Sequence, residues 1–175
     1  MMHFSGCTGK INISDCRYEG AHDDPINIHG TNLRIMEKLD ANTLKLRFMH
    51  GQSYGFNAFH EGDEVAFVRA KRMERYQRSS VSEVKRISDR EVLLRLDKPV
   101  PADMELGLDC IENMTCTPEV EIRNCYFTRT CTRGLLITTP RKAVIENNIF
   151  EKTGMSAILI EGDAEGWFES GPVCD

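Results

Sequence analysis

Residues 119–162 read "EVEIRNCYFTRTCTRGLLITT", then Pro140 and Arg141, then "KAVIENNIFEKTGMSAILIEG". Laid over each other at a displacement of 23 residues, the two halves match without a gap. Each holds a short strand alternating apolar with polar residues, an Asn followed by Cys or Asn, one aromatic, a variable turn and a second alternating strand. A third copy, "KINISDCRYEGAHDDPINIHG", starts at Lys10. Ile13, Ile122 and Ile145 then coincide, as do Asp15, Asn124 and Asn147; Tyr18, Phe127 and Phe150; and Ile28, Ile137 and Ile160. Period-two strands recurring every ~20 to 25 residues signal the stacked coils of a parallel β-helix. One such coil cannot bury its inward Ile, Val and Phe alone. Stacking at about 4.8 Å per coil lines them into a continuous core. Asn and Asp at the bend hydrogen-bond their own backbone and tolerate a left-handed φ, and Cys16 and Cys125, which follow there, are expected to stack inward. A sandwich of three similar hairpins is the competing all-β arrangement, whereas a leucine-rich solenoid is excluded because its repeated leucines are absent.

The first two copies are separated by about 86 residues more than one period. That excess, Asn32 to Thr115, must leave the stack and return. It carries its own alternating runs, "TLKLRF", "DEVAFVRA", "SEVKRIS" and "EVLLRLDKP", separated by the turn-formers "DAN", "HEGD", "SDR" and "PVPAD". The expectation is an all-β chain in which residues 1–31 and 116–175 form parallel β-helix coils and residues 32–115 form an inserted small antiparallel β-barrel or sandwich. The basic run "KRMERYQRSS" reads as a solvated loop or edge. Neither end of the chain supplies a cap for exposed strand edges, so a fragment of a longer helix is expected, covered by neighbours or by self-association.

With 41% apolar and 28% charged residues, the composition is that of a soluble globular protein. A formal charge of -5 argues against nucleic acid, whose phosphates call for a basic face. No apolar run approaches the roughly 20 residues of a membrane helix, and the N-terminal residues lack the layout of a signal peptide. The seven cysteines, Cys7, Cys16, Cys110, Cys116, Cys125, Cys131 and Cys174, are odd in number and hold no CxxC pair. Neither a closed disulfide framework nor a zinc knuckle is indicated, and most are expected to serve as small buried hydrophobes.

The chemistry concentrates in "GAHDDPINIHG", residues 20–30. The register sets Asp23 and Asp24 level with Thr132 and Arg133, and then with Met155 and Ser156, in the turn leading to the second strand. If Ile26 and Ile28 face the core, Asn27 and His29 face outward beside the two acids. Glu161 falls level with His29 two coils away, and Asp163 follows it. Like charges side by side repel, which favours a proton held between them, as a general acid requires. Groups one to two coils apart, about 5 to 10 Å, span the roughly 6.5 to 9.5 Å that separates the carboxylates of inverting glycosidases. The bland reading of the acid pair is a turn with solvated charges, and of His29 a hydrogen-bonded surface histidine. His22, Asp23 and Asp24 offer oxygen and nitrogen donors to Ca²⁺ or Mn²⁺, but calcium sites call for more oxygen ligands than are visible; no metal or cofactor is expected. Phe48, Tyr54, Phe56 and Phe59 read as core of the insert, while Trp167 sits in a Gly- and acid-rich loop suited either to packing or to stacking on a sugar ring.

"GAHDDPINIHGTNLRI", "FMHGQSYGFNAFHEGDEVAF", "LDKPVPAD" and "AILIEGDAEGWFESGPV" together resemble glycoside hydrolase family 110, bacterial α-1,3-galactosidases. The resemblance, which extends over nearly the whole chain, implies a right-handed parallel β-helix with barrel insertions. It also implies removal of terminal galactose from glycans with inversion, and a secreted or periplasmic parent protein. It makes Asp23 and Asp24 the catalytic carboxylates, with Asn27 and His29 supporting; Glu161, Asp163 and Trp167 complete the expected substrate-binding set. A carboxylate stacked one coil before the acid pair would fall at or before Met1, so part of the catalytic set is expected outside this chain. A β-helix polysaccharide lyase and a non-catalytic carbohydrate-binding or scaffold module are the alternatives.

Overall fold

The computed structural model describes residues 1–171, so Cys174 lies outside the described residues. They form β1 (Met2–Ser5), β2 (Lys10–Ser14), β3 (Arg17–Glu19), β4 (Ile26–Thr31), β5 (Leu33–Lys38), β6 (Thr43–Arg47), β7 (Glu64–Arg69), β8 (Glu74–Arg86) and β9 (Glu91–Leu96). There follow β10 (Cys110–Asn113), β11 (Glu119–Arg123), β12 (Tyr126–Thr130), β13 (Leu135–Ile137), β14 (Ala143–Glu146), β15 (Ile149–Thr153), β16 (Ile158–Leu159) and β17 (Glu169–Ser170). The fold is all-β: among the described residues there is no helix, and none long and apolar enough to cross a membrane. Two compact units separate, the first made of Met1–Gly30 and Thr117–Glu161 with Gly171, the second of Thr31–Cys116 and Gly162–Ser170.

The first unit is built from parallel sheets. One orders β14-β11-β2, another β15-β12-β3, and a third contains β1-β4-β13-β16. Each of the three aligned segments thus gives one strand to each sheet. Alternation places the inward residues: in β2, Ile11 and Ile13 are buried between exposed Lys10, Asn12 and Ser14. Ile122 pairs with Ile13 on one side and Ile145 on the other. Phe127 pairs with Tyr18 and Phe150, and its ring lies parallel to theirs at centroid distances of 4.9 and 4.8 Å. That distance equals the strand spacing, so the aromatic column costs the backbone no adjustment. Inward residues of all three sheets, among them Ile13, Ile28, Ile122, Phe127 and Ile137, meet in one core. Burial raises the Tyr18 hydroxyl pKa to about 12.

The bends behave as their residue types require. Asp15, Asn124 and Asn147 take φ of 55°, 54° and 54°, and Asn124 donates through Nδ2 to Asp15 Oδ1 at 3.2 Å. The second bend repeats the conformation with Gly20, Arg129 and Lys152, at φ of 68°, 55° and 57°. Only the first of these three comes without a Cβ clash. Cys125 is buried in the core and Cys16 packs half-buried against it. The cysteines are less uniformly buried than expected: Cys110 joins Cys125 as fully buried, Cys7 and Cys116 are half-buried, and Cys131 is exposed. Ile160 also departs, because pairing stops at Leu159 and Ile160 is exposed.

The second unit is a closed barrel in the order β10-β5-β6-β9-β8-β7, with antiparallel neighbours. Its interior holds Leu33, Ile35, Leu44, Leu46, Val65, Phe67, Leu94 and Ile111, closed by Phe48 and Phe59, with Phe56 packed against them. The basic run "KRMERYQRSS" corrects its reading as a loop or edge: Glu74–Ser80 is the first half of β8, paired with β7 inside a barrel that has no edge. Its charges are accommodated by ion pairs, Arg75 with Glu112 and Arg78 with Glu64 at 2.8 Å.

Replacing Asn124 by Ala is expected to lower stability by about 1 kcal/mol, because a Cβ without a capping amide must sit at left-handed φ, while Asn124→Gly stays close to the parent. Urea unfolding of the two variants checks this, and equal losses would remove the conformational explanation.

Candidate functional site

The turn Ala21–Pro25 leads into β4 and separates the fates of its two acids. Asp23 is exposed, whereas Asp24 is 4% exposed. The Asp24 backbone N–H donates to Asp23 Oδ1 at 2.9 Å, fixing the outer carboxylate against its own turn. Asp24 faces the following strand of the same sheet. Its Oδ1 accepts the Arg133 backbone N–H at 3.0 Å and its Oδ2 accepts Arg133 Nη1 at 3.3 Å. Arg133 was expected at this level, but its pairing with Asp24 was not. A carboxylate that takes both a backbone and a guanidinium donor is held in one rotamer.

Along β4, Ile26 and Ile28 point into the core as expected. Asn27 is half-buried, with His3 paired to it on one side and Leu136 on the other. His29 corrects the expectation that it faces solvent. It is 3% exposed because His3, one strand earlier, lies across it with ring centroids 4.8 Å apart and Nε2 to Nε2 at 2.6 Å. His29 Nδ1 also contacts the Gly30 carbonyl oxygen, which can only accept. The proton of a neutral His29 therefore sits on Nδ1, and its Nε2 accepts from His3 Nε2–H. Sequence reasoning missed His3, although it lies 24 residues before Asn27, close to the repeat displacement.

The remaining expected residues are not gathered by the same pairing. The outward row runs from His3 and Asn27 to Leu136 and Leu159, and paired residues end there. Glu161 is exposed beyond that end. Asp163 and Trp167 lie in the second unit. Asp163 turns its carboxylate into its own loop: Oδ1 accepts the N–H of Glu165 at 2.9 Å, and Oδ2 accepts those of Gly166 and Phe168 at 2.9 Å and of Trp167. Partial burial opposes ionisation of Asp163, but these backbone donors outweigh it and hold its pKa below the ordinary 3.8. The loop leaves Trp167 61% exposed, tilted against the His50 ring at a centroid distance of 4.8 Å. Nearby in sequence, Tyr54 is also exposed, with the Arg90 guanidinium 3.9 Å from its ring centroid.

An acid pair in which one member is fixed and the other open, beside an amide and a coupled pair of imidazoles, is suited to proton transfer and to binding hydroxyl groups. The family described as GLAA-B beta-barrel domain II matches residues 43–111, inside the closed barrel. The whole chain is 70% identical to a Bacteroides fragilis protein named alpha-1,3-galactosidase A, covering 29% of that protein. Over 98% of the chain it is 49% identical to the protein of that name from Bacteroides thetaiotaomicron and 45% identical to that from Akkermansia muciniphila, covering 30% and 29% of them. The resemblance read from the residues therefore holds over the whole chain, which corresponds to a segment of proteins named alpha-1,3-galactosidase. The chain spans about three tenths of the length of these curated relatives.

Because its folded pKa is lowered, Asp163 stabilises its loop fully above the ordinary aspartate range, and that contribution is lost as pH falls through its own lower value. Asp163→Ala is expected to speed amide hydrogen exchange at Glu165–Phe168 and to shift Trp167 emission at neutral pH. Unchanged exchange at those four amides would show that the carboxylate does not hold the turn.

Proposed function

We propose that the parallel sheets of the first unit are the faces of a right-handed parallel β-helix, and that this chain supplies a catalytic wall of a glycoside hydrolase removing terminal α-1,3-linked galactose from oligosaccharides with inversion. The relatives named alpha-1,3-galactosidase support the reaction class. The observation that carries the site is the division of two adjacent aspartates into an exposed Asp23 and an Asp24 fixed by Arg133.

Glycoside hydrolysis by inversion needs a proton delivered to the leaving oxygen as its bond to the anomeric carbon breaks. It also needs a base that takes a proton from the water attacking the opposite face. Asp23, open at the bend, is the group that meets an approaching glycan. Asp24 completes the carboxylate pair in a fixed orientation, and the two share the acid and base work. Asn27 offers its amide to sugar hydroxyls. His29, covered by His3, orients the His3 imidazole at the surface of the same sheet. A non-catalytic carbohydrate-binding role is favoured by one observation, the exposed Trp167 beside His50, whose faces suit the C–H side of a galactose ring.

Asp23→Asn and Asp24→Asn, placed separately in the aligned segment of the Bacteroides fragilis protein, are each expected to lower kcat on an α-1,3-galactoside by about 10²- to 10⁴-fold. Proton NMR of the wild-type reaction should show β-galactose formed first. Undiminished turnover in both variants would reject the acid pair, and α-galactose appearing first would reject inversion. Galactose quenching of Trp167 emission with no substrate consumed by any form would favour the binding role.

A further inference from the structure

We propose that His60, Asp63 and Cys116 form a zinc-type divalent cation site in the barrel unit, independent of the acid pair. One ring nitrogen of His60, one carboxylate oxygen of Asp63 and Cys116 Sγ all lie within 4.8 Å of one another. His60 Nδ1 and Asp63 Oδ2 are 3.5 Å apart. Bonds of about 2.0–2.2 Å from zinc to nitrogen and oxygen, meeting at a tetrahedral angle, set such donors roughly 3.3–3.5 Å apart. These two atoms already stand at that separation, and from within 4.8 Å the sulfur reaches a bond of about 2.3 Å with a movement of at most about 1.3 Å. A donor set of one nitrogen, one carboxylate and one thiolate suits zinc, whereas calcium and magnesium take oxygen. Three protein ligands leave a fourth position for water.

The arrangement is assembled by β-pairing and by a single amide. His60 and Asp63 precede β7, Cys116 follows β10, and the antiparallel pairing of Asn113 with Val65 brings the two chain ends side by side. Asn113, 8% exposed, serves both. Its Nδ2 donates to Asp63 Oδ2 at 2.6 Å and to the Ala58 carbonyl at 2.9 Å, while its Oδ1 accepts the N–H groups of Thr115 and Cys116 at 2.9 and 3.0 Å. The His60 backbone N–H adds a further bond to Asp63 Oδ2 at 2.7 Å. One buried side chain thus aims the carboxylate and seats the cysteine, the orienting role that outer hydrogen-bond partners play around metal ligands. A bound cation would clip the loop before β7 to the chain after β10, and the folded barrel would gain stability with the logarithm of free cation concentration once that exceeds the dissociation constant.

Cobalt(II) titrated into the 175-residue protein tests the site without reference to glycan hydrolysis. Expected are a thiolate-to-cobalt charge-transfer band and tetrahedral visible bands, both displaced by zinc. Cys116→Ser should abolish the charge-transfer band. His60→Ala, at an exposed position, should weaken cobalt binding at least about tenfold. Cys131→Ser, which removes an exposed thiol outside the cluster, should change neither. Far-ultraviolet circular dichroism identical to the parent certifies each variant as folded. Absence of the band in the parent at millimolar cobalt, its survival in Cys116→Ser, or unaltered affinity in His60→Ala would each overturn the proposal.

Discussion

The first unit depends on one requirement: the inward side chain of each strand must land on its counterpart in the next strand. Ile122 lies between Ile13 and Ile145, and Phe127 between Tyr18 and Phe150, and neither column survives a slip of one residue, which would turn every inward group to solvent. The bends enforce this by fixing the number of residues between strands. Their left-handed conformations at Asp15, Asn124 and Asn147, and again at Gly20, Arg129 and Lys152, recur at equivalent positions although the residue types differ. Arg129 and Lys152 show that the stack outweighs the local preference against a side chain there.

The chemistry borrows this regularity. A bend that need only turn the chain also projects its residues beside those of the next strand, so Asp24 finds Arg133, a residue 109 positions away in sequence, as an immediate neighbour. The same pairing lays His3 over His29 and leaves Asn27 between His3 and Leu136. Polar groups cluster on the outer row of β1 and β4 and give way to leucine beyond it.

Much of this was legible in the residues because strand alternation and the 23-residue displacement are local signals. They placed the isoleucine and aromatic columns, the left-handed Asp and Asn, and the four strand runs of the insert. They did not reveal β5 or β10: the first continues directly from β4, and the second is only four residues long, too short to show alternation. Nor did they reveal that His29 is covered. Its cover is His3, a residue whose strand begins at the second position and offers too little pattern to align. The register sets Asp163 just after Glu161, the residue level with His29, and gives no sign that the backbone of its own loop folds back onto its carboxylate.

The second unit is discontinuous in the covalent chain, and this bears on how such a module is inherited. Ala164 and Phe168 pack with Val68, Ala70 and Cys110, although the 45 residues Thr117–Glu161 of the other unit intervene between Cys116 and Gly162. A gene segment encoding only Thr31–Cys116 would carry every strand of the barrel and still leave that small cluster uncovered. Transplanting the module to a new host protein therefore means moving two separate stretches of chain rather than one.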